Sequence, residues 1–269
     1  MSNRIIALLT DFGYRDPYVG VMKAVIKSIN PFAEIIDLTH GITRQDYYEA
    51  AVTLMVSAKY FPRGTIFVCV VDPGVGSERR AIVIETTNYF LVGPDNGCLS
   101  LLAENDGIKR VYDVSNSLFR LREVSHTFHG RDVFAPIAAY LSLGYSPTIL
   151  GREIPPNSIK KIELAPVEIT DNGFKASVLY IDIFGNIMTN ATKEVLEKLG
   201  WKQGDILSIE FNEKPGVLCK LVPSFSHVKK GEYACYINSW GYFEIAINMG
   251  NAARELGVKK GLSLTIRKR

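Results

Sequence analysis

Apolar positions in the first half of the chain form short unbroken runs separated by stripes of helical spacing. Residues 5–9 are apolar throughout and close on Thr10-Asp11-Phe12-Gly13. An unbroken run of this length reads as a strand buried on both faces. Val21, Met22, Val25, Ile26 and Ile29 then repeat at helical spacing, and Asn30-Pro31 stops that helix. Residues 34–38 form a second strand ending at Thr39-His40-Gly41. Asp46 and Glu49 fit a capping box ahead of a second helix carrying Ala50, Leu54, Met55 and Ala58. Pro62-Arg63-Gly64 leads into a third apolar run, 65–71. The order β-α-β-α-β predicts a parallel sheet with crossover helices. Residues 81–85, 89–92 and 110–114 add strands, a short helix opens at 99–103, and 133–143 reads as a buried helix.

The pattern changes near residue 151. Gly151, Pro155, Pro156, Asn157 and Pro166 mark a linker, placed at 156–166 between an α/β domain (1–155) and a second domain (167–269). Helical periodicity is scarce after that. Asp171-Asn172-Gly173 between 167–170 and 175–181 is a hairpin signal. One short helix is predicted at 192–199. Further strands at 206–211, 232–238, 242–247 and 262–266 suit a small β-barrel or sandwich. The fold class is therefore α/β: a Rossmann-like, mostly parallel N-terminal sheet plus a smaller C-terminal β-barrel.

Composition narrows the function classes. The 269 residues are 47% hydrophobic and 22% charged, with a net charge of +3, ordinary for a chain that buries a real core. No basic block suggests a nucleic-acid partner. No apolar run reaches the ~18 residues of a membrane span, and Arg4 before a short apolar run is too little for a signal peptide. Cys69, Cys98, Cys219 and Cys235 are widely spaced and read as buried reduced thiols of a cytoplasmic protein.

The chemistry gathers where strands end. The third run stops at Asp72-Pro73-Gly74, where the chain must turn, and ligands of open α/β sheets bind outside the carboxyl ends of strands. Asp72 stands where a catalytic carboxylate is expected, with Arg79 able to fold back beside it. A loop aspartate with a surface arginine is the competing reading. Asp11 suits the two hydroxyls of a ribose, since a carboxylate offers two acceptor oxygens, or else a helix N-cap. The Asp-Phe-Gly triplet lacks the other kinase motifs. His126 and His129, with Asp132 beyond, raise a metal-dependent hydrolase as an alternative, although Gly130 argues for a turn there. His40 and His227 receive no role. Phe184-Gly185-Asn186 and Asn238-Ser239-Trp240-Gly241-Tyr242 combine aromatics with amides, as adenine recognition would, or as hairpin turns over core aromatics would.

Together, residues 10–13, 71–79 (with VDPGVG), 94–97 (PDNG), 128–132 (FHGRD), 184–190 and 238–253 resemble the S-adenosyl-L-methionine (SAM) hydroxide adenosyltransferases, relatives of the fluorinase and chlorinase. The resemblance covers nearly the whole chain. It implies hydrolysis of SAM to adenosine and L-methionine by attack of water or hydroxide at C5′, with SAM as substrate and no cofactor or metal. It implies a catalytic triad on Asp72, Arg79 and His129, with Asp11 on the ribose. Asn186 and the segment around Asn248 and Met249 would read adenine, Ser239 the methionine carboxylate and Glu244 the ammonium, while Phe128, Asp182 and Phe184 complete the substrate-binding set. It also implies a homotrimer, with the ligand between the N-terminal domain of one subunit and the C-terminal domain of its neighbour. The fluorinase has Tyr in place of Asp72 and Tyr-Ser in place of His129-Gly130, so water rather than halide is the expected nucleophile. A SAM- or adenosine-binding regulator without turnover is the other alternative.

Overall fold

The computed structural model describes residues 4–211 and 214–269. The chain divides into two compact units, Met1–Ile162 and Glu163–Arg269, each described by itself.

The first unit contains, in chain order, β1 (Ile5–Thr10), α1 (Tyr18–Ile29), β2 (Glu34–Thr39), α2 (Tyr47–Ser57), β3 (Ile66–Val70), β4 (Ala81–Thr86), β5 (Phe90–Pro94), α3 (Ser100–Asp106), β6 (Ile108–Asp113), α4 (Ala135–Ser142), α5 (Pro147–Leu150) and β7 (Arg152–Ile154). Its sheet runs β2-β1-β3-β5-β4-β6-β7. The four strands β2, β1, β3 and β5 are parallel, and β4, β6 and β7 add antiparallel pairs. Alternation along the strands sends side chains to two cores. Ile6, Leu8, Ile66, Val68 and Val70 pack with Met22 and Ile26 of α1 and with α4. Ala7, Leu9, Phe67, Cys69 and Val71 pack with Ala50 and Leu54 of α2 and Leu102 of α3. Burial on both faces is why these strands read as unbroken apolar runs. Residues 159–162, inside the segment expected as linker, lie against this unit: Ile159 is buried, and the Lys160 and Ile162 N–H groups donate to Asp95 Oδ1 (2.8 Å) and Ser100 Oγ (3.0 Å).

The second unit contains β8 (Glu168–Thr170), β9 (Gly173–Ile181), β10 (Ile187–Thr192), α6 (Lys193–Lys198), β11 (Ile206–Phe211), β12 (Lys214–Leu221), β13 (Tyr233–Ile237), β14 (Tyr242–Ile247), α7 (Ala252–Leu256) and β15 (Ser263–Lys268). The order β10-β14-β13-β12-β11-β15-β9, with β9 pairing back to β10, closes a seven-strand barrel, and β8 hangs on β9 as the expected hairpin. Closure leaves no free edge in the barrel wall. Its interior is filled by Phe174, Val178, Leu207, Ile209, Phe243, Ile245 and Ile266.

The structure corrects the cysteine reading. Cys219 on β12 and Cys235 on β13 form a disulfide, with Cα atoms 5.9 Å apart, while Cys69 and Cys98 are free and buried. Sixteen residues separate the bonded pair in sequence, and only the pairing of β12 with β13 brings them together.

Candidate functional site

Four parallel strands deliver polar residues to one edge of the first unit. Register pairs Thr10 with Val70, Leu9 with Thr39 and Val68 with Val92. Asp11, Asp72, His40 and the Asp95-Asn96 turn therefore leave the sheet at the same end, where a doubly wound fold binds ligands.

The loop after β3 is wound by successive turns. Val75 N–H donates to Asp72 O (3.2 Å), and both the N–H and the hydroxyl of Ser77 donate to Gly74 O (3.1 and 2.6 Å). Gly76 has φ +78°, and a Cβ there would lie 2.3 Å from His126 O, so the winding requires glycine. The turns fold Arg79 back onto Asp72 in a two-pronged pair. Nε donates to Oδ1 at 2.9 Å, and Nη2 donates to Oδ2. Both side chains are 6% exposed, and the guanidinium lies 5.3 Å from the centroid of the Phe134 ring. A fork of this kind is among the strongest charge-assisted contacts.

His129 completes the cluster, with Nδ1 2.8 Å from Arg79 Nη2. It caps a π-helical turn, Gly130–Phe134, that runs directly into α4. The turn expected at Gly130 is thus helical. The site is tight, since a Cβ would lie 3.2–3.3 Å from Met22 Sδ, Phe128 Cε2 and Val70 Cγ1, and those side chains would have to yield by a few tenths of an ångström. Such π-turns concentrate at functional sites. Burial and the neighbouring Arg79 charge hold the His129 pKa below its ordinary value. An arginine can only donate, so Nδ1 accepts and the ring proton sits on Nε2.

Asp132 is fully buried and takes Arg131 Nε (2.5 Å) and Ser125 N–H (2.8 Å). Those bonds, with burial opposing them, leave its carboxyl pKa low. His126, His129 and Asp132 are therefore not assembled as a ligand set, and no three His, Cys, Asp or Glu side chains converge in that way among the described residues. Phe128 packs edge-on against Phe12 and Tyr18. Asp11 Oδ2 accepts the Gln45 N–H at 2.8 Å.

The second unit carries a cleft of about 750 Å³ lined by Asp182, Phe184, Asn186, Phe225, Tyr236, Asn238, Ser239, Trp240, Glu244 and Met249, among others. Asp182 shapes its mouth. Oδ1 accepts the N–H groups of Phe184 (2.9 Å) and Asn186 (2.8 Å), and Oδ2 takes Asn186 Nδ2 (2.8 Å). Phe184 is left 71% exposed and Met249 79% exposed. Glu244 is buried, and burial pushes its carboxyl pKa up although Tyr236 OH (2.6 Å) and Asn238 Nδ2 (2.7 Å) donate to it. The same pairing and burial raise the Tyr236 hydroxyl. Asn248 is the exception among the expected residues. Its amide donates to Val228 O at 2.8 Å, and it is not among the cleft's lining residues. Sequence reasoning missed Gln45, which acts through a backbone N–H, and Tyr236, whose hydroxyl reaches Glu244 across paired strands.

Residues 6–151 match the family described as SAM hydroxide adenosyltransferase N-terminal domain, and residues 176–265 match its C-terminal domain. The chain belongs to the SAM hydroxide adenosyltransferase family. A relative named (R)-S-adenosyl-L-methionine hydrolase, from Methanocaldococcus jannaschii, is 39% identical over 265 residues, covering 94% of this chain and 92% of that one. A fluorinase from an Actinoplanes species is 29% identical over 296 residues, covering 99% and 98%. Among solved structures, an uncharacterized conserved protein from Thermotoga maritima superposes with TM-score 0.93 at 36% identity, covering 98% of this chain and all of that one.

Proposed function

We propose that this SAM hydroxide adenosyltransferase family member hydrolyses SAM to adenosine and L-methionine by in-line attack of water on C5′, with Asp72, Arg79 and His129 as the reacting constellation. One observation carries the reading: a nearly buried Asp72–Arg79 pair, joined to His129, at the carboxyl end of β3. The sulfonium needs no general acid, because it leaves as the neutral thioether of methionine. The remaining task is to hold one water behind C5′ and take its proton, and positioning supplies a large part of that.

The hydrogen bonds divide the labour. His129 Nδ1 is occupied by Arg79, so its Nε2–H is the free donor, placed to hold the water oxygen rather than to accept a proton. Each Asp72 oxygen accepts one Arg79 bond and retains a lone pair. Asp72 therefore takes the water proton as the O–C5′ bond forms and the C5′–S electron pair passes to sulfur. Arg79 keeps carboxylate and imidazole in register. Asp11 binds the ribose hydroxyls, with Phe128 beside them. On the second unit, Phe184 and Asn186 receive adenine with Met249 and the Asn248 segment. Ser239 binds the methionine carboxylate, and Asp182 and Glu244 face the ammonium.

The name of the M. jannaschii relative supports preference for the R configuration at sulfur in this chain. We also propose a homotrimer in which the N-terminal unit of one subunit meets the C-terminal unit of its neighbour, as the family resemblance implies. Gly130, which lacks the hydroxyl of the fluorinase's serine, supports water over halide. The deciding experiment is incubation with each sulfonium epimer in ¹⁸O-labelled water, followed by mass spectrometry. One label on the adenosine 5′-oxygen, and none in methionine, is expected. Binding of both epimers without adenosine formation would return the protein to a regulatory, non-catalytic role.

A further inference from the structure

We propose that His40 is a positioning residue for the ribose-binding carboxylate of Asp11. The inference rests on the reading of Asp11 given above. β1 and β2 are adjacent and end together, so His40 arrives beside the Thr10-Asp11-Phe12-Gly13 turn. Its side chain is wholly buried. Nδ1 lies 2.8 Å from Thr10 Oγ1, which in turn accepts the Phe12 N–H at 3.2 Å. The His40 carbonyl accepts the Gly13 N–H at 2.8 Å. Residues on both sides of Asp11 are thus tied to one histidine.

The far side of the ring is anchored as well. Nε2 makes an off-axis contact with Asp37 Oδ1 at 3.1 Å. Asp37 Oδ2 takes Lys23 Nζ (2.6 Å) and Tyr14 OH (2.9 Å), and the Tyr14 ring stands edge-on to the imidazole at 5.1 Å. The proton order is self-consistent: the Thr10 hydroxyl donates to Nδ1, and the Nε2 proton faces Asp37. The other constraint on Asp11 comes from the same β2–α2 loop, where Gln45 holds φ +65° with its N–H on Asp11 Oδ2. A non-glycine residue in that region is held by its surroundings. The loop that begins at His40 therefore grips the Asp11 turn on its backbone and its carboxylate, and among the described residues Oδ1 is left open for a ligand.

Two substitutions separate the contacts. In His40→Asn the amide occupies the place of Nδ1 and keeps Thr10. In His40→Gln it occupies the place of Nε2, keeps Asp37 and loses Thr10. Adenosine affinity is measured by titration calorimetry for both, for Asp11→Ala, and for each in combination with Asp11→Ala. His40→Gln is expected to weaken adenosine about tenfold, the scale of one hydrogen bond, while His40→Asn stays within about threefold of the parent. The His40→Gln penalty should vanish in the Asp11→Ala background, as coupled residues require. Undiminished additivity, or equal weakening by Asn and Gln, overturns the inference. Parent-like adenosine binding by Asp11→Ala overturns the ribose reading instead. Should His40→Gln fail to fold, Thr10→Val removes the same bond from its other partner and enters the same cycle.

Discussion

Replacement of Asp72 by asparagine separates its proposed role as proton acceptor from its place in the scaffold. The carboxylate and the Arg79 guanidinium are both 6% exposed, so deleting the side chain would leave a buried cation unpaired. Breaking a buried pair in this way costs about 3–5 kcal/mol, a large part of the ~5–15 kcal/mol that holds a domain folded. Asp72→Ala therefore confounds catalysis with stability. Asp72→Asn keeps the side-chain volume and one carbonyl oxygen for Arg79 Nε, while its amide N–H then faces Arg79 Nη2, donor against donor, and Arg79 keeps its contact with His129 Nδ1. Its stability cost should lie between the roughly 1–3 kcal/mol of one lost hydrogen bond and the roughly 3–5 kcal/mol of the broken pair. The amide cannot take a proton from water. Loss of general-base assistance is worth about 10²–10⁴ in rate, or roughly 3–5 kcal/mol of barrier. Three measurements belong together: a melting curve, adenosine affinity by calorimetry and single-turnover release of adenosine from SAM. The expected result is a folded protein with near-parent affinity and a rate at least about a hundredfold lower. A folded Asp72→Asn protein turning over within about tenfold of the parent would refute Asp72 as the base.

Other outcomes follow from the same geometry. Because burial and Arg79 lower the His129 pKa, the neutral form, with Nδ1 unprotonated and accepting from Arg79, persists as pH falls. The acid limb of kcat attributable to His129 should lie below the ordinary histidine value of about 6.5, and a limb above 6.5 that disappears in His129→Asn would contradict this. Burial raises the Glu244 pKa, so the carboxylate proposed to face the methionine ammonium is lost on acidification at a pH above its ordinary ~4.3. KM for SAM should rise through that window in the parent and stay flat in Glu244→Gln. Asn96 Nδ2 donates to Val71 O at 2.8 Å, immediately before Asp72. Asn96→Asp, which removes that donor, should lower kcat about tenfold with little change in KM, and an unchanged kcat would show that the Val71 peptide needs no such support. Thiol titration of protein denatured without reductant should find two reactive groups, Cys69 and Cys98. Four would refute the Cys219–Cys235 bond.

Local pattern alone carried much of the first unit. The first helix carries the expected stripe and ends at Ile29, just before Asn30-Pro31, because the apolar spacing and the stop signal act within one stretch of chain. Asp46 caps α2 by accepting the Glu49 N–H as expected, although Glu49 Oε1 turns to the Thr43 N–H. The barrel was legible as a class, yet β10, β12 and α7 went unread. Ile187–Thr192 mixes Thr and Asn into its apolar positions, Lys214–Leu221 contains Pro and Gly, and Ala252–Leu256 is barely longer than one turn.

The motifs, and through them the family, were in the sequence by itself, since turn chemistry at strand ends is written in adjacent residues. Which groups touch was decided only by the tertiary structure. Arg79 meets His129 across 50 positions, Asp11 meets the Gln45 N–H across 34, and Cys219 meets Cys235 by strand pairing. The Asn248 amide was turned to a neighbouring carbonyl, and a histidine without a local partner became the link between two strand ends. Propensity and turn signals decay within a few residues, whereas hydrogen bonds and burial depend on distances that exist only once the sheet register and barrel closure are set.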